Sequence, residues 1–159
     1  QLYSEIEIKT AFLIACFETD EERAEKEMLK LLNFIGRYCS NSDKERLGLP
    51  ILRKLIGMKQ EKQDDVALVG YLDRAICVIS ESNGIAELAE LHFQKAKALE
   101  RLYRIEEDWD EQTVRPPHFK QCIEECIMAY HVADVMEFDS LREKIRKFSG
   151  EQLKWQITE

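Results

Sequence analysis

His118, Cys122 and Cys126 are the side chains whose type and spacing most resemble a metal site, because each stands four residues from the next. On an α-helix this spacing places all three on one face, where an imidazole and two thiolates could bind zinc. Structural zinc sites usually take paired ligands from two elements, and no fourth ligand is evident in the sequence. Both cysteines also fall within an apolar stripe, which favours a packed helix face over a metal centre.

His92 lies on the apolar stripe of another predicted helix. It is a candidate for contacting a partner or sensing pH in a groove. The alternative is a core histidine bonded to a nearby carbonyl or carboxylate, since buried polar atoms are normally paired. The chain has only 3 histidines and lacks the common nucleophile, zinc-protease, dinucleotide and phosphate-loop motifs. The sequence therefore predicts a protein that is not an enzyme and needs no cofactor.

The longest polar connection, residues 106–115, contains five acidic residues around Trp109. An aromatic side chain among like charges offers an anchor and an electrostatic attraction for a basic segment of a partner. We therefore predict that Trp109, Asp108 and Asp110 contact a partner. The alternative is that Trp109 folds back onto the flanking helices, because large aromatic side chains are mostly buried.

Apolar residues occupy both ends of the chain: Leu2, Tyr3, Ile6, Leu153, Trp155 and Ile157. The last three alternate with a spacing of two, which suits an extended tail lying along a neighbouring surface. Repeat arrays need polar outer faces at their ends. We therefore expect at least one end to pack against further repeats, a partner chain or a second copy, with Trp155 among the contacts.

Apolar residues at intervals of three and four, together with capping signals, predict seven helical segments that position these side chains. The first runs from about Tyr3 to Phe17, with Ile8, Phe12 and Ala15 on one face. Thr19 with Glu22 forms a capping box that opens the second. The turn between them is very short, so the two helices are predicted to lie antiparallel.

The third and fourth segments begin at similar signals. Ser42 with Glu45 forms a capping box for the third, which Gly48 and Pro50 are predicted to interrupt. Residue 64 or 65, both aspartates, caps the fourth, and the Asn-Gly pair at 83–84 ends it.

The last three segments contain most of the candidate site residues. The fifth is predicted from about Ile85 to Ile105, and the prolines at 116–117 suit the first turn of the sixth. The Asp-Ser pair at 139–140 caps a short seventh helix that the Ser-Gly pair at 149–150 closes.

Composition supports this reading, since charged residues make up 34% of the chain while Gly numbers 6 and Pro 3. The 159 residues suit a single domain, 1–159, which we expect to be a segment of a larger protein. The net charge of -8 disfavours nucleic acid and anionic membrane surfaces as partners. Five cysteines without a CxxC pair predict a reducing, intracellular location, cytoplasmic or nuclear.

The helices resemble tetratricopeptide-type repeats, whose second helix opens with a small residue followed four positions later by a larger one. Ala24 with Met28 fits this pattern, and so do Cys122 and Cys126 with Ala129. The resemblance covers the first and second helices and the fifth and sixth. It implies an α-solenoid, a right-handed array of antiparallel helix hairpins that binds a peptide on its concave surface. A closed helical bundle is the alternative topology.

The sequence as a whole predicts an all-α scaffold that binds another protein or peptide through a helical-repeat surface. Two alternatives share the same features. One is a helical accessory or regulatory domain of a larger enzyme or complex. The other is a small metal-binding helical protein built around His118, Cys122 and Cys126.

Overall fold

A computed structural model of the chain describes residues 1–16, 19–82, 85–106 and 117–158. Seven α-helices occupy these ranges: α1 Leu2–Cys16, α2 Glu21–Tyr38, α3 Asn41–Lys62, α4 Asp65–Ser82, α5 Ile85–Glu106, α6 Pro117–Val135 and α7 Asp139–Gln152. The described ranges contain no strand, so the predicted all-α class is confirmed. Within the same ranges, none of the helices is both long and apolar enough to cross a bilayer.

The start of α2 lies one residue beyond the predicted cap. The Asp20 carboxylate accepts a hydrogen bond from the backbone N–H of Arg23 at 3.2 Å, so Asp20 is the N-cap. Thr19 instead donates its hydroxyl to the carbonyl oxygen of Cys16 at 3.1 Å. Two adjacent residues could each cap the helix, and here Asp20 does so because the Thr19 hydroxyl bonds to the preceding turn instead.

The predicted interruption of α3 is wrong, because the helix is continuous over 22 residues and contains Pro50 in its interior. Its N-cap is Ser40 rather than Ser42. Pro50 removes one intrahelical hydrogen bond, but the side chains on either side of it, Leu49 and Ile51, are buried and their packing offsets that loss. Gly48 is also buried, and a Cβ there would lie 3.6 Å from the Leu32 side chain, so α2 and α3 approach closely.

The ends of α4 and α7 resolve two further predictions. Asp64 caps α4, since its carboxylate accepts from the backbone N–H of Ala67 at 3.2 Å. The predicted cap and stop of α7 are wrong: Phe138 is the N-cap without a side-chain bond, and the helix continues through Gly150 to Gln152. A glycine ends a helix by adopting a left-handed conformation, and no described glycine has a positive φ.

The helices pack in chain order. Each helix contacts the next, and α1 also packs on α3 and α5 on α7. Hydrogen bonds from Arg53 to Glu87 and from Gln60 to Gln94 join α3 and α5, and both span 34 residues, so these helices run parallel. Within the described ranges α1 has no contact with α5, α6 or α7. The odd-numbered helices therefore lie side by side in one layer, with the even-numbered helices in a second.

Two buried clusters stabilise this arrangement. The first core lies among α1 to α4, and its fully buried side chains include Met28, Ile35, Ile51, Leu55 and Leu72. The second core lies among α5, α6, α7 and the tail that follows α7. Small residues line the contact between α5 and α6: Ala89, Ala96, Cys122, Cys126, Ala129 and Ala133. Ala129, which belongs to the repeat-like pattern of small residues, is fully buried.

The apolar face predicted for α1 points away from the core. The buried side chains of α1 are Ile6, Thr10 and Leu13. Ile8 and Phe12 are instead 69% and 66% exposed, and Ala15 is exposed as well. α1 has apolar residues on almost every side, so periodicity alone does not identify its core face. Thr10 is accommodated in the core because its hydroxyl donates to the Ile6 carbonyl at 2.8 Å.

Candidate interaction surfaces

His92 is a core histidine paired with a carboxylate. It is 8% exposed on α5, and its Nδ1 lies 2.5 Å from Oε2 of Glu125 on α6. This is the alternative that the sequence offered to a ligand-contacting role. The contact of His92 with a partner, or a response of this residue to pH, stays a prediction.

Glu125 and Lys95 extend this contact into a cluster that joins α4, α5 and α6. The Lys95 Nζ lies 2.6 Å from a carboxylate oxygen of Glu125 and 2.6 Å from one of Asp73. Burial acts to raise the pKa of Glu125, but hydrogen bonds from His92 and Lys95 outweigh it, so this pKa is lowered. Burial acts to lower the pKa of Lys95, but its two carboxylate partners raise it overall. Both groups are therefore charged at neutral pH.

A second cluster, on Glu25, joins α2, α3 and α4. The Lys59 Nζ lies 3.1 Å from the Glu25 carboxylate, and the Tyr71 hydroxyl donates to the same carboxylate at 2.6 Å. Burial, and then the hydrogen bond to Glu25, raise the pKa of Tyr71. Each half of the array thus contains a carboxylate on an even-numbered helix held by a lysine of the preceding or following odd-numbered helix.

The sequence analysis missed both clusters, although one local signal was available. Lys59 falls within the apolar run that precedes the end of α3, where a lysine is unexpected unless it has a partner. Its nearer carboxylate partner in space, Glu25, is 34 residues away in the chain. A single sequence can therefore indicate the buried lysine without indicating what neutralises it.

Cys122 and Cys126 are packed between helices, as the apolar stripe suggested. Both are fully buried, and the Cys122 thiol donates to the carbonyl oxygen of Ala96 at 3.1 Å. The hydrogen bond with Cys126 and burial raise the pKa of Cys122, which disfavours the thiolate that zinc requires. His118 is half-buried at the start of α6. Among the described residues, no three His, Cys, Asp or Glu side chains form a group that could hold a metal ion.

Trp155 lies on the second core of its own chain. Its backbone N–H donates to the backbone carbonyl of Ser149 at 3.1 Å, and the Ser149 hydroxyl donates to the backbone carbonyl of Trp155 at 2.6 Å. Leu153 is buried beside it, and Ile157 also packs on this core. The tail therefore follows the surface of α5 to α7 without forming a helix, and a further contact of Trp155 with a partner stays a prediction.

Trp109, Asp108 and Asp110 lie outside the described residues. The contact between this acidic segment and a basic partner stays a prediction. In the chain the segment lies between the C-terminal end of α5 and the N-terminal end of α6.

Two clefts occur on the layer of odd-numbered helices. The larger, about 410 Å³, lies between the starts of α5 and α7 and is lined by Ala86, Glu90, Phe138, Asp139, Ser140, Leu141 and Lys144. The smaller, about 290 Å³, lies along the first half of α3 and is lined by Ser42, Glu45, Arg46, Leu49, Pro50 and Arg53. Both therefore belong to the N-terminal halves of helices that run parallel.

Comparisons of the chain with protein-family models, curated proteins and solved structures found no match. The described ranges contain a seven-helix, all-helical fold that is compatible with a helical-repeat array. Since no relative supplies a function, the contacts and surfaces of this chain are the basis for one.

Proposed function

We propose that the protein is an interaction scaffold that binds another protein or peptide on its layer of odd-numbered helices, in the manner of a tetratricopeptide-like array. The order of the helix contacts is the main observation that supports this. Each helix packs only on near neighbours in the chain. Side-chain hydrogen bonds join α3 to α5, and α5 packs on α7, so these three helices lie beside one another. Extended surfaces of this kind are what helical-repeat proteins use for binding.

The placement of the buried charges also supports a binding role. Neither the Glu125 cluster nor the Glu25 cluster contributes a residue to the two clefts. Each cluster instead fixes three helices against one another through paired charges. Such contacts keep the array in one register, so that the clefts keep their shape and a partner can bind without first ordering them.

The α5–α7 cleft favours a partner segment with an apolar anchor beside a basic residue. Ala86, Phe138 and Leu141 provide apolar lining. Glu90 and Asp139 add carboxylates beside the ammonium of Lys144, and Asp139 also pairs with Arg142. A basic segment is also what the acidic connection at residues 106–115 would attract.

The test is affinity capture from a cell extract with a cleft variant and a matched control. Ala86→Arg with Glu90→Lys changes two exposed residues of the cleft. Met128→Arg with Glu124→Lys makes the same chemical changes on the exposed side of α6. We expect a protein that wild type and the α6 control retain and the cleft variant loses. Equal retention by all three proteins would contradict binding on the odd-numbered layer.

A further inference from the structure

Exposed apolar side chains are concentrated on the first hairpin, α1 and α2. Ten large hydrophobic side chains of the described ranges are exposed, and six of them belong to this hairpin: Leu2, Tyr3, Ile8, Phe12, Phe34 and Tyr38. Single exposed apolar residues need no explanation, but a contiguous group often marks an interaction site.

The outward side of α1 forms an apolar stripe. Ile8 and Ala15, seven residues or about two turns apart, lie on the side opposite the core-facing residues, with Phe12 next to them. Ala11 is exposed on the same side. Small residues beside large ones leave room for a second helix to approach closely, with Ile8 and Phe12 as anchors.

The exposed charges of α2 are mostly basic, since Arg23, Lys26, Lys30 and Arg37 are exposed against the single exposed carboxylate of Glu22. Arg23, Lys26 and Arg37 are exposed and form no ion pair with any described residue. Lys30 pairs with Glu27 at 2.7 Å. The pKa of Glu27 is lowered mainly by this bond and to a smaller extent by Lys9, which places Lys9 of α1 close to α2. Apolar and cationic side chains therefore lie side by side on the hairpin.

Phe34 and Tyr38 complete this surface at the C-terminal end of α2. Their ring centroids are 4.8 Å apart, one helical turn from each other. Only a short connection separates α1 from α2, and the two helices pack on each other, so they are antiparallel and this aromatic pair lies toward the N-terminal end of α1. We call Ile8, Phe12, Phe34, Tyr38 and the three unpaired cations of α2 the hairpin face.

We propose that the hairpin face is a docking site for an acidic amphipathic helix of a partner protein. Apolar residues of that helix would cover Ile8 and Phe12, and its carboxylates would pair with Arg23, Lys26 and Arg37. This deepens the proposed scaffold role and rests on it, but it uses the first hairpin, α1 and α2, rather than the surface of α3, α5 and α7.

A second copy of the chain fits this face less well. α1 has 15 residues, a length of about 22 Å, so its exposed side is well below the roughly 800 Å² per partner of a stable interface. A symmetric dimer would also bring the same cations of both copies to one interface. An acidic helix instead adds carboxylates that these cations lack.

Fluorescence anisotropy with two synthetic helices tests the proposal. Each peptide has about 20 residues with Leu at i, i+3, i+4 and i+7; one has Glu at the flanking positions and the other Lys. We expect the Glu peptide to bind the full chain, with affinity that falls as salt rises, and the Lys peptide to bind about tenfold or more weakly. Equal affinity for the two peptides, or failure of the Glu peptide to bind, would overturn the proposal.

Variants of the exposed residues locate the site without threatening the fold. Ile8→Glu with Phe12→Glu should weaken Glu-peptide binding about tenfold or more, because apolar contacts are lost and like charges are added. Lys26→Glu with Arg37→Glu should weaken it and flatten its salt dependence. The matched control is Val66→Glu with Val135→Glu, two comparably exposed residues of α4 and α6, which should bind as wild type does. Circular dichroism should show equal helical content in all four proteins.

Three results would overturn the assignment and identify what replaces it. Loss of binding in the Val66/Val135 control would show a non-specific charge effect. A dimer in sedimentation analysis that the Ile8/Phe12 variant abolishes would show that a second copy occupies the face. Binding to phosphatidylserine vesicles that requires the same residues would show an anionic lipid surface instead.

The cleft variant Ala86→Arg/Glu90→Lys separates this proposal from the scaffold proposal. It should bind the Glu peptide with unchanged affinity. Loss of peptide binding in this variant would show that the peptide occupies the α5–α7 cleft, which would overturn the hairpin face and leave the scaffold role standing.

Discussion

The two ends of the array differ in what their last helices turn outward. α7 buries Ile145 and Ser149 on the second core and exposes Glu143, Lys144 and Lys147. The tail after it covers the same core with Trp155 and Ile157. α1 also buries one side, but its opposite side is apolar. An outer helix can cover the core beneath it and present a polar side outward only when its own sequence is amphipathic. The sequence of α7 is amphipathic and that of α1 is not.

The largest expected difference in stability is between alanine substitutions of two isoleucines, one buried in α7 and one exposed on α1. Ile145→Ala should lower the free energy of unfolding by about 3 kcal/mol, because it leaves a cavity at a fully buried position. Ile8→Ala should change it by less than about 0.5 kcal/mol, since Ile8 is exposed. Urea denaturation of the two variants measures both values. Similar losses would mean that α1 is covered in solution and that the contrast between the ends is wrong.

Sequence reasoning was accurate for the number and approximate position of the helices, since stripes such as that of α5 keep one phase over many turns. It was less accurate at helix ends, where Thr19 and Asp20, or Ser40 and Ser42, compete to cap. It failed at Pro50, because a single missing hydrogen bond is weaker than the burial of the flanking side chains.

The candidate surfaces were harder to predict than the helices. The face of α1 that contacts the core depends on α2 and α3, and nothing within residues 2–16 specifies it. The ion clusters depend on partners about 30 or more residues away, as with Lys95 and Glu125. Local sequence patterns indicate helical periodicity and capping residues. The pairing of side chains from different helices depends on tertiary packing, which cannot be read from a single sequence.

Trp155→Ala should produce the second largest loss of stability, and it tests how the tail after α7 packs on the second core. The side chain is half-buried on the second core, so its removal should lower the free energy of unfolding by about 2 kcal/mol. Tyr38→Ala in the first hairpin is the control. It should leave the free energy of unfolding almost unchanged, because Tyr38 is largely exposed. Thermal unfolding followed by circular dichroism compares them. A tail that is not docked would make the two variants indistinguishable.

Acid should destabilise the cluster that joins α4, α5 and α6, because it protonates Glu125. The pKa of Glu125 in the folded protein is below its ordinary value of 4.5, so its contribution is complete above that value and is lost as the pH falls through the lowered pKa. Glu125→Gln should cost about 1.5 kcal/mol at neutral pH. Its deficit relative to wild type should shrink as the pH falls below 4.5, as urea titrations at several pH values would show. A deficit that is constant with pH would contradict the assigned charge of Glu125.

The smallest effect concerns how each end helix is fastened to the array by polar contacts. Glu7 of α1 pairs with Arg46 of α3 at 2.6 Å, and both side chains are at least half exposed, so Glu7→Gln should cost about 0.5 kcal/mol or less. Arg146 of α7 donates to the Tyr130 hydroxyl at 2.6 Å in a partly buried contact, and Tyr130→Phe should cost about 1 kcal/mol.

Urea denaturation with and without about 1 M NaCl separates the two variants, because salt screens exposed ion pairs far more than buried hydrogen bonds. The Glu7 deficit should vanish in salt while the Tyr130 deficit persists, and the reverse result would mean that α1, not α7, is the end held by protected contacts.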